Sequence, residues 1–302
     1  YPKYQQEYKV WKEKNEAEFL AKYAAYAESA KADRLAGKDP GEPPALVRAP
    51  RAPERPGPNM RVSTNLFNAM IAPVIPFAIT GVIWYQGEAN AGQPGEYELL
   101  MNAMIADWRA RFGQGDFPFY FVQLASFRRR DANPPEDLTW AYLRESQSRS
   151  LATPNTGMAV AIDIGETHDI HPQNKLDVGK RLALWELKRL GQNIEYRGPV
   201  FAKSEIAGNK IVISFTHAAK LRTADGSANV KGFAIAGADH KFVWADARIV
   251  NGNQVEVSSP DVAGPVAVRY AFANNPEVNL CNEAGLPAEP FRTDSVNPAN
   301  YR

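Results

Sequence analysis

The sequence predicts an α/β protein, a doubly wound parallel sheet followed by a small all-β module, and three observations carry that prediction. Through residues 59–198 short apolar runs alternate with amphipathic stretches of about 10–15 residues, the pattern of strands joined by crossover helices. The run Met-Ala-Val-Ala-Ile-Asp-Ile-Gly over 158–165 is almost continuously apolar, as a strand covered on both faces must be. After about Gly198 the helical stretches cease and short strand-like runs follow one another. The organisation read from this is a helical insertion with a proline-rich linker over 1–58, an α/β domain over 59–198 and a β module over 199–302.

In chain order, residues 1–36 read as a helix, because Tyr4, Tyr8, Trp11, Phe19, Tyr23 and Tyr26 recur at helical spacing between lysines and glutamates, marking a surface helix packed on a neighbour. Residues 38–58 hold seven prolines, with Arg48, Arg51 and Arg55 among them, and read as an extended linker. Leu66, Met70, Ile71, Val74, Ile75 and Ile79 suggest a short helix broken by Pro73 and Pro76. A buried strand over 81–85 ends in Gln86-Gly87-Glu88-Ala89-Asn90. A helix over 97–112 turns Leu99, Leu100, Met104, Ile105 and Trp108 to one side, and a third buried run covers 117–124. A polar loop over 126–137 contains Arg128, Arg129 and Arg130, and a helix follows over 140–151. The strand at 158–164 gives way to the loop Glu166-Thr167-His168-Asp169-Ile170-His171-Pro172, and a helix starts at Lys175 with Leu176, Val178, Leu182, Leu184, Trp185 and Leu187 as its apolar set. Strands are then expected over 211–215, 232–236, 241–250, 254–258 and 266–270, with Asn251-Gly252 as a hairpin turn in a sandwich-like module.

Composition narrows the function classes. The 302 residues are 44% apolar and 23% charged, a globular composition, and the formal net charge of +1 offers no electrostatic case for nucleic acid or a membrane surface. No apolar run approaches the roughly 20 residues of a membrane-spanning helix. Cys281 is the single cysteine, which excludes an intrachain disulfide. The sequence opens at Tyr1 in helix-like sequence, as if an earlier part, with any targeting segment, were missing.

Chemistry concentrates on the loops after the apolar strands, the edge where open α/β sheets carry their sites. Two of the four histidines, His168 and His171, lie within four residues of each other. His171, followed by a conformation-fixing Pro172 and flanked by Asp169 and Glu166, fits a general base oriented by a carboxylate, against a structural histidine at a helix start. A metal set of His168, Asp169 and His171 is the alternative, but the remaining histidines, His217 and His240, fall in the β module. In the other loop, Gln86 offers an amide donor for an oxyanion and Gly87 a close backbone approach, against an ordinary polar turn. Arg144, Glu145 and Gln147 share a helix, either as a solvated face with a local ion pair or, for Arg144, as a substrate contact. Arg128 to Arg130 are read as a solvated loop or as contacts to an acidic or sugar substrate.

Three blocks resemble the sialate O-acetylesterase family, SGNH-type carbohydrate esterases: Thr-Asn-Leu-Phe-Asn-Ala-Met through Trp-Tyr-Gln-Gly-Glu-Ala-Asn over 64–90, Leu-Ala-Thr-Pro-Asn through His-Asp-Ile-His-Pro-Gln-Asn-Lys over 151–175, and Pro-Val-Ala-Val-Arg-Tyr-Ala-Phe-Ala-Asn-Asn-Pro with Asn-Leu-Cys-Asn-Glu-Ala-Gly over 265–294. The resemblance covers nearly everything from residue 60 onward. It implies a flavodoxin-like SGNH fold with an added β domain, and removal of O-acetyl groups from sialic acid or another sugar through an acyl-serine intermediate, without cofactor or metal. His171 matches the family's histidine. Gln86 and Gly87 match its oxyanion block, with Glu88, Asn90 and Arg144 expected near the substrate. The family's acid often stands three residues before the histidine, where this sequence has His168, so Asp169 or Glu166 takes that place or the site works as a dyad. The resemblance also implies an extracytoplasmic setting.

The nucleophile departs from the family pattern. The family carries it in a Gly-Gln-Ser-Asn motif that does not occur here, and Ser63, Ser126, Ser146 and Ser148 stand in other contexts. The expectation is that an N-terminal segment of the same protein supplies the serine, and that this chain alone is inactive. A non-catalytic carbohydrate-binding fragment and a metal-dependent hydrolase are the competing readings.

Overall fold

The computed structural model of the chain describes residues 2–36, 38, 41, 64–136 and 138–295, in two units, Tyr1–Phe77 and Ala78–Arg302. In the first unit, helix α1 (Pro2–Leu35) runs where the aromatic spacing predicts a helix. The proline-rich stretch 38–58 falls outside the described residues apart from Lys38 and Gly41. The helix expected near Met70 is instead a five-residue π turn, Phe67–Ile71, passing into a 3-10 turn, Ala72–Val74. Pro73 sits at the start of that 3-10 turn, where its missing N–H costs nothing, and it prevents one continuous α-helix.

The second unit contains the α/β layer. Its strands are β1 (Val82–Trp84), β2 (Phe119–Val122) and β3 (Thr156–Ala159), parallel in the order β1-β2-β3. The helices are α2 (Pro94–Phe112), α3 (Thr139–Arg149) and α4 (Lys175–Arg189). Alternation along β2 divides the layer. Phe119 and Phe121 join Tyr97, Met101 and Ile105 of α2 and Leu143 of α3 in one core. Tyr120 and Val122 join Val178 and Leu182 of α4 in another. The sheet is therefore covered by helices on both sides, as the near-continuous apolar strands require.

Three expectations change. The buried stripe of α2 is Tyr97, Met101, Ile105 and Arg109, at strict four-residue spacing, while Leu99 and Leu100 are exposed. Leu176 at the start of α4 is exposed as well. The third is β1, whose central Ile83 is 72% exposed. Among the described residues β1 is paired only to β2, so it is an edge strand with one uncovered face rather than a buried one.

Beyond the last helix the chain forms β4 (Val200–Ala207), β5 (Lys210–Thr216), β6 (Arg222–Thr223), β7 (Phe233–Ala236), β8 (Val243–Trp244), β9 (Asp246–Val250), β10 (Gln254–Ser258), β11 (Ala267–Tyr270), β12 (Leu280–Cys281) and β13 (Phe291–Arg292). They make two four-stranded sheets, β4-β5-β10-β9 and β13-β11-β7-β8, and a small pair, β12-β6. Ile211, Ile213, Val255 and Val257 of the first sheet share a core with Phe233, Ile235, Val268 and Tyr270 of the second. That core is continuous with the one beneath α2 and α3. Asn251 and Gly252, with φ of 51° and 79°, carry the left-handed conformations of the short turn over 251–253 that joins β9 to β10. β4 escapes sequence reading because its Lys203-Ser204-Glu205 centre is solvent-facing on an edge strand.

Trp185 of α4 lies flat against β3, its indole N–H donating to the Met158 carbonyl at 3.0 Å. A Cβ at Gly157 would meet that ring at 2.5 Å. Gly157→Ala is expected to lower stability by about 1–3 kcal/mol. Urea unfolding would show a lower midpoint at unchanged slope, and an unchanged midpoint would mean that α4 is free to lift from the sheet.

Candidate functional site

Parallel strands deliver their carboxyl ends to one edge of the sheet, so the loops after β1 and β3 emerge on the same side. A direct contact brings them together. The Lys175 ammonium, which follows the histidine loop, stands 4.7 Å above the ring of Tyr85, which precedes Gln86. Burial, with the Glu88 carboxylate as a second cause, pushes the Tyr85 hydroxyl up to about 12, so the ring meets the lysine as a neutral phenol.

His171 is the most exposed polar group of its loop, with a side chain 84% accessible, and its Nδ1 lies 3.8 Å from Asp169 Oδ1. That oxygen also accepts the His171 backbone N–H at 2.8 Å, a short Asx-type turn that holds the carboxylate beside the ring. Of the two acids left open by the sequence, Asp169 is the one at the imidazole. Glu166 accepts the Gln173 backbone N–H at 2.9 Å and shapes the loop beyond the histidine. The loop closes on α4, where Asn174 accepts the Asp177 backbone N–H and donates its own amide to the Asp177 carboxylate at 2.8 Å.

In the opposite loop the Gln86 amide donates to Asn90 Oδ1 at 2.7 Å, which fixes both side chains and leaves Gln86 a second N–H. The Tyr97 hydroxyl donates to the Gln86 carbonyl at 3.0 Å. Gly87 has φ of 156°, and a Cβ there would crowd Leu143, Gln147 and Leu124 at 3.1–3.3 Å, so glycine is needed for space and conformation alike.

Arg144 corrects the sequence reading. It is wholly buried, neither a solvated face nor a substrate contact. Its guanidinium donates to the Leu124 and Ala125 carbonyls of the α/β layer and to the Ala273 and Asn274 carbonyls of the β module, at 2.7–2.9 Å. Burial pulls its pKa down to about 9, which leaves it charged at neutral pH. Glu145 beside it pairs with Arg149 and with Arg292 of β13.

Residues outside the two loops support them. Gln147, fully buried, accepts the Leu124 N–H and donates to the carbonyls of Gln86 and Val122. Asn275 donates to the Arg128 carbonyl at 2.5 Å and to the Thr167 hydroxyl at 3.3 Å. The Arg128 N–H donates to the Thr167 carbonyl, and Phe127 bridges to Glu166. A Cβ on Gly165 would lie 2.0 Å from the Ser126 carbonyl, so only glycine lets the histidine loop pass there. The Asn274-Asn275 pair falls inside the last resembling block, which was the available signal.

The described serines named above are spent on packing. Ser126 donates to the Ile162 carbonyl, Ser146 to the Pro94 carbonyl, and Ser148 accepts from Gln123. Ser63 lies outside the described residues. Among the described residues no three His, Cys, Asp or Glu side chains gather into a metal-holding set, so no geometry supports a shared metal at His168, Asp169 and His171. No helix among them is long and apolar enough to cross a membrane.

Residues 57–187 match a family model described as carbohydrate esterase, sialic acid-specific acetylesterase. Human sialate O-acetylesterase is 30% identical over 254 residues, covering 75% of this chain and 48% of that protein. The mouse protein of the same name is 32% identical over 274 residues, covering 79% and 50%. A crystal structure of a novel carbohydrate acetylesterase from Xanthomonas citri superposes with a TM-score of 0.71 at 48% identity, covering 76% of this chain and 54% of that one. The chain thus spans about half the length of the curated relatives it matches.

The role of Arg144 can be tested by stability alone. Arg144→Met keeps much of the volume but strips four buried carbonyls of a donor. The Ala125 and Asn274 carbonyls keep the Trp140 indole N–H and the Phe127 N–H, so the Leu124 and Ala273 carbonyls are the two left unsatisfied, and at about 1–3 kcal/mol each a loss of about 2–6 kcal/mol is expected. Denaturant unfolding measures it, and a loss under about 1 kcal/mol would show that water replaces the guanidinium.

Proposed function

We propose that this chain, whose residues 57–187 match a family model described as carbohydrate esterase, sialic acid-specific acetylesterase, carries the base and oxyanion side of a carbohydrate O-acetylesterase. The observation that carries the reading is an exposed His171 beside Asp169 on the sheet edge that also presents Gln86.

In the reaction proposed, a serine Oγ attacks the carbonyl carbon of a sugar acetyl ester and His171 takes its proton. Asp169 stabilises the imidazolium. The tetrahedral oxyanion is met by the second Gln86 N–H and the backbone at Gly87. Collapse expels the sugar oxygen, which leaves with the proton from His171. Water, deprotonated by His171, then attacks the acetyl-serine carbonyl, and acetate departs while the serine regains its proton. Glu166 holds the loop in shape, and Glu88 and Asn90 stand beside the oxyanion side.

The serine in this proposal comes from polypeptide outside residues 1–302. The free edge of β1 is where such a segment fits. Val82, Ile83, Pro118, Tyr120, Leu182 and Ala183 line an apolar hollow of about 340 Å³ alongside it. A further parallel strand there would cover Ile83 and deliver its carboxyl end next to Gln86. The sugar is an O-acetylated one, of either sialic or other type.

The test is intact-mass analysis and N-terminal sequencing of the purified protein, followed by turnover of an aryl acetate and labelling with a serine-reactive phosphonate. Label on a serine outside residues 1–302, with turnover reduced about 10³-fold or more by His171→Ala, supports the reading. Full activity with label on a serine within residues 1–302 overturns the assignment of the nucleophile. Binding of acetylated sugar without turnover or label, in a sample containing a Gly-Gln-Ser-Asn segment, overturns the esterase reading in favour of a carbohydrate-binding protein.

A further inference from the structure

A cavity of about 390 Å³ opens between the loop carrying Arg130, Asp131 and Ala132 and the β-module residues Lys231, Trp244 and Glu277. That volume is within the range of small-molecule sites, about 300–1,000 Å³. No role in the reaction above touches it.

Its chemistry is mixed in a particular way. Trp244 is 38% exposed, an unusual place for a large apolar ring, and its indole N–H donates to the Ala132 carbonyl at 2.8 Å. That bond fixes the ring and leaves its faces as a platform. The cations around it are already neutralised, because Glu277 takes Lys231 at 2.9 Å and Arg130 at 3.9 Å. Lys231 also pairs with Asp225 at 3.3 Å. Asp131 and Asp246 line the cavity and, among the described residues, enter no ion pair. A ligand for this cavity therefore offers an apolar C–H face to an aromatic ring and hydroxyl donors to carboxylates, and brings no negative charge. A neutral sugar meets all three conditions, since its C–H face is drawn to the negative face of an aromatic ring.

The cavity is tied to the candidate site. Asn275 lines it and donates to the Thr167 hydroxyl of the histidine loop. Thr167 is four residues before His171. At no more than about 3.6 Å per residue the Thr167 and His171 backbones lie within about 15 Å of each other, so the Asn275 rim of the cavity, which touches Thr167, is within an oligosaccharide's reach of the histidine.

We propose that the Trp244 cavity binds a neutral sugar unit of the glycan whose acetyl ester faces His171, so that the substrate is an oligosaccharide held at two points. The proposal rests on the carbohydrate esterase reading, and its test separates the two.

Isothermal titration of the purified protein with cellotetraose, xylotetraose, mannotetraose and 3′-sialyllactose reads the cavity directly, and aryl acetate turnover on the same sample reads the esterase. Saturable binding of at least one neutral tetrasaccharide is expected. Trp244→Ala should weaken it by on the order of tenfold or more, and Trp244→Phe should restore most of it. Ala132→Phe fills the cavity from an exposed loop without removing a core side chain, and should abolish binding even if Trp244→Ala does not fold. No binding by any neutral probe, binding of sialyllactose alone, or binding indifferent to both Trp244→Ala and Ala132→Phe overturns the proposal. Trp244-dependent binding in a complete enzyme without aryl acetate turnover would overturn the esterase reading while the cavity assignment stands.

Discussion

The structure depends on a buried guanidinium. Arg144 leaves water entirely, a cost of several kcal/mol for an ion in a low-dielectric interior, and recovers it through charge-assisted bonds to four carbonyls. Those carbonyls come from two segments far apart in sequence, the end of β2 and the stretch after β11, which also meet where Asn274 accepts the Phe127 and Trp140 backbone N–H groups. Glu145 adds a second tie through Arg292, whose other carboxylate partner, Asp294, also holds Arg269. Helix α3 thus joins the α/β layer and the β module through polar bonds, where the shared apolar core alone would permit sliding.

The same helix governs the site. Arg144 and Gln147 are three residues apart and so share a face of α3. Gln147 reaches the Gln86 carbonyl. Arg144 fixes the carbonyls of Ala273 and Asn274, and the next residue, Asn275, reaches the histidine loop through Thr167. One helix face therefore sets the spacing between the Gln86 loop and the histidine loop, which follow different strands. This explains how His171 can be so exposed and still be placed. Its own side chain makes few contacts, but the backbone under it is pinned by Gly165 against Ser126, by Asp169, and by the Asn174 cap. Preorganisation of this kind sits in the supporting residues rather than in the side chain they position.

Much of the α/β layer was legible because hydrophobic period and strand length are local properties. The strand at 119–122, the helix from Lys175 and the Asn251-Gly252 turn announce themselves within a few residues, whereas the strand read over 158–164 is paired only over Thr156–Ala159, because the apolar run continues past the end of the ladder. Leu99, Leu100 and Ile83 were misplaced because periodicity reports that a face is apolar, not which neighbour covers it. Arg144 was misread for a related reason. An arginine on a helix is solvated in most settings, and nothing near it in sequence shows that carbonyls about 20 and 130 residues away converge on it. The two candidate loops could be found from their place after strands, but the choice between Asp169 and Glu166 needed side-chain geometry, and the roles of Asn275 and Gln147 needed long-range contacts.

Among the described residues β1 has a free edge, and its consequences follow from the same physics. Parallel strands in α/β proteins are covered on both faces and usually on both sides, since an uncovered one exposes apolar side chains and unpaired backbone groups together. Ile83 and the hollow flanked by Leu182 and Ala183 show such an edge beside the Gln86 loop. The Gln86 side is well buttressed, with Tyr97, Asn90 and Gln147 all committed to it. A rigid, polar loop next to an open, apolar edge is an arrangement suited to receiving a strand, because the incoming segment gains apolar burial along β1 while the loop has nothing left to rearrange. Burial of one Ile side chain alone is worth about 1.5–3 kcal/mol. The edge can therefore supply affinity for the strand proposed to carry the serine without drawing on the interactions that position Gln86 and His171.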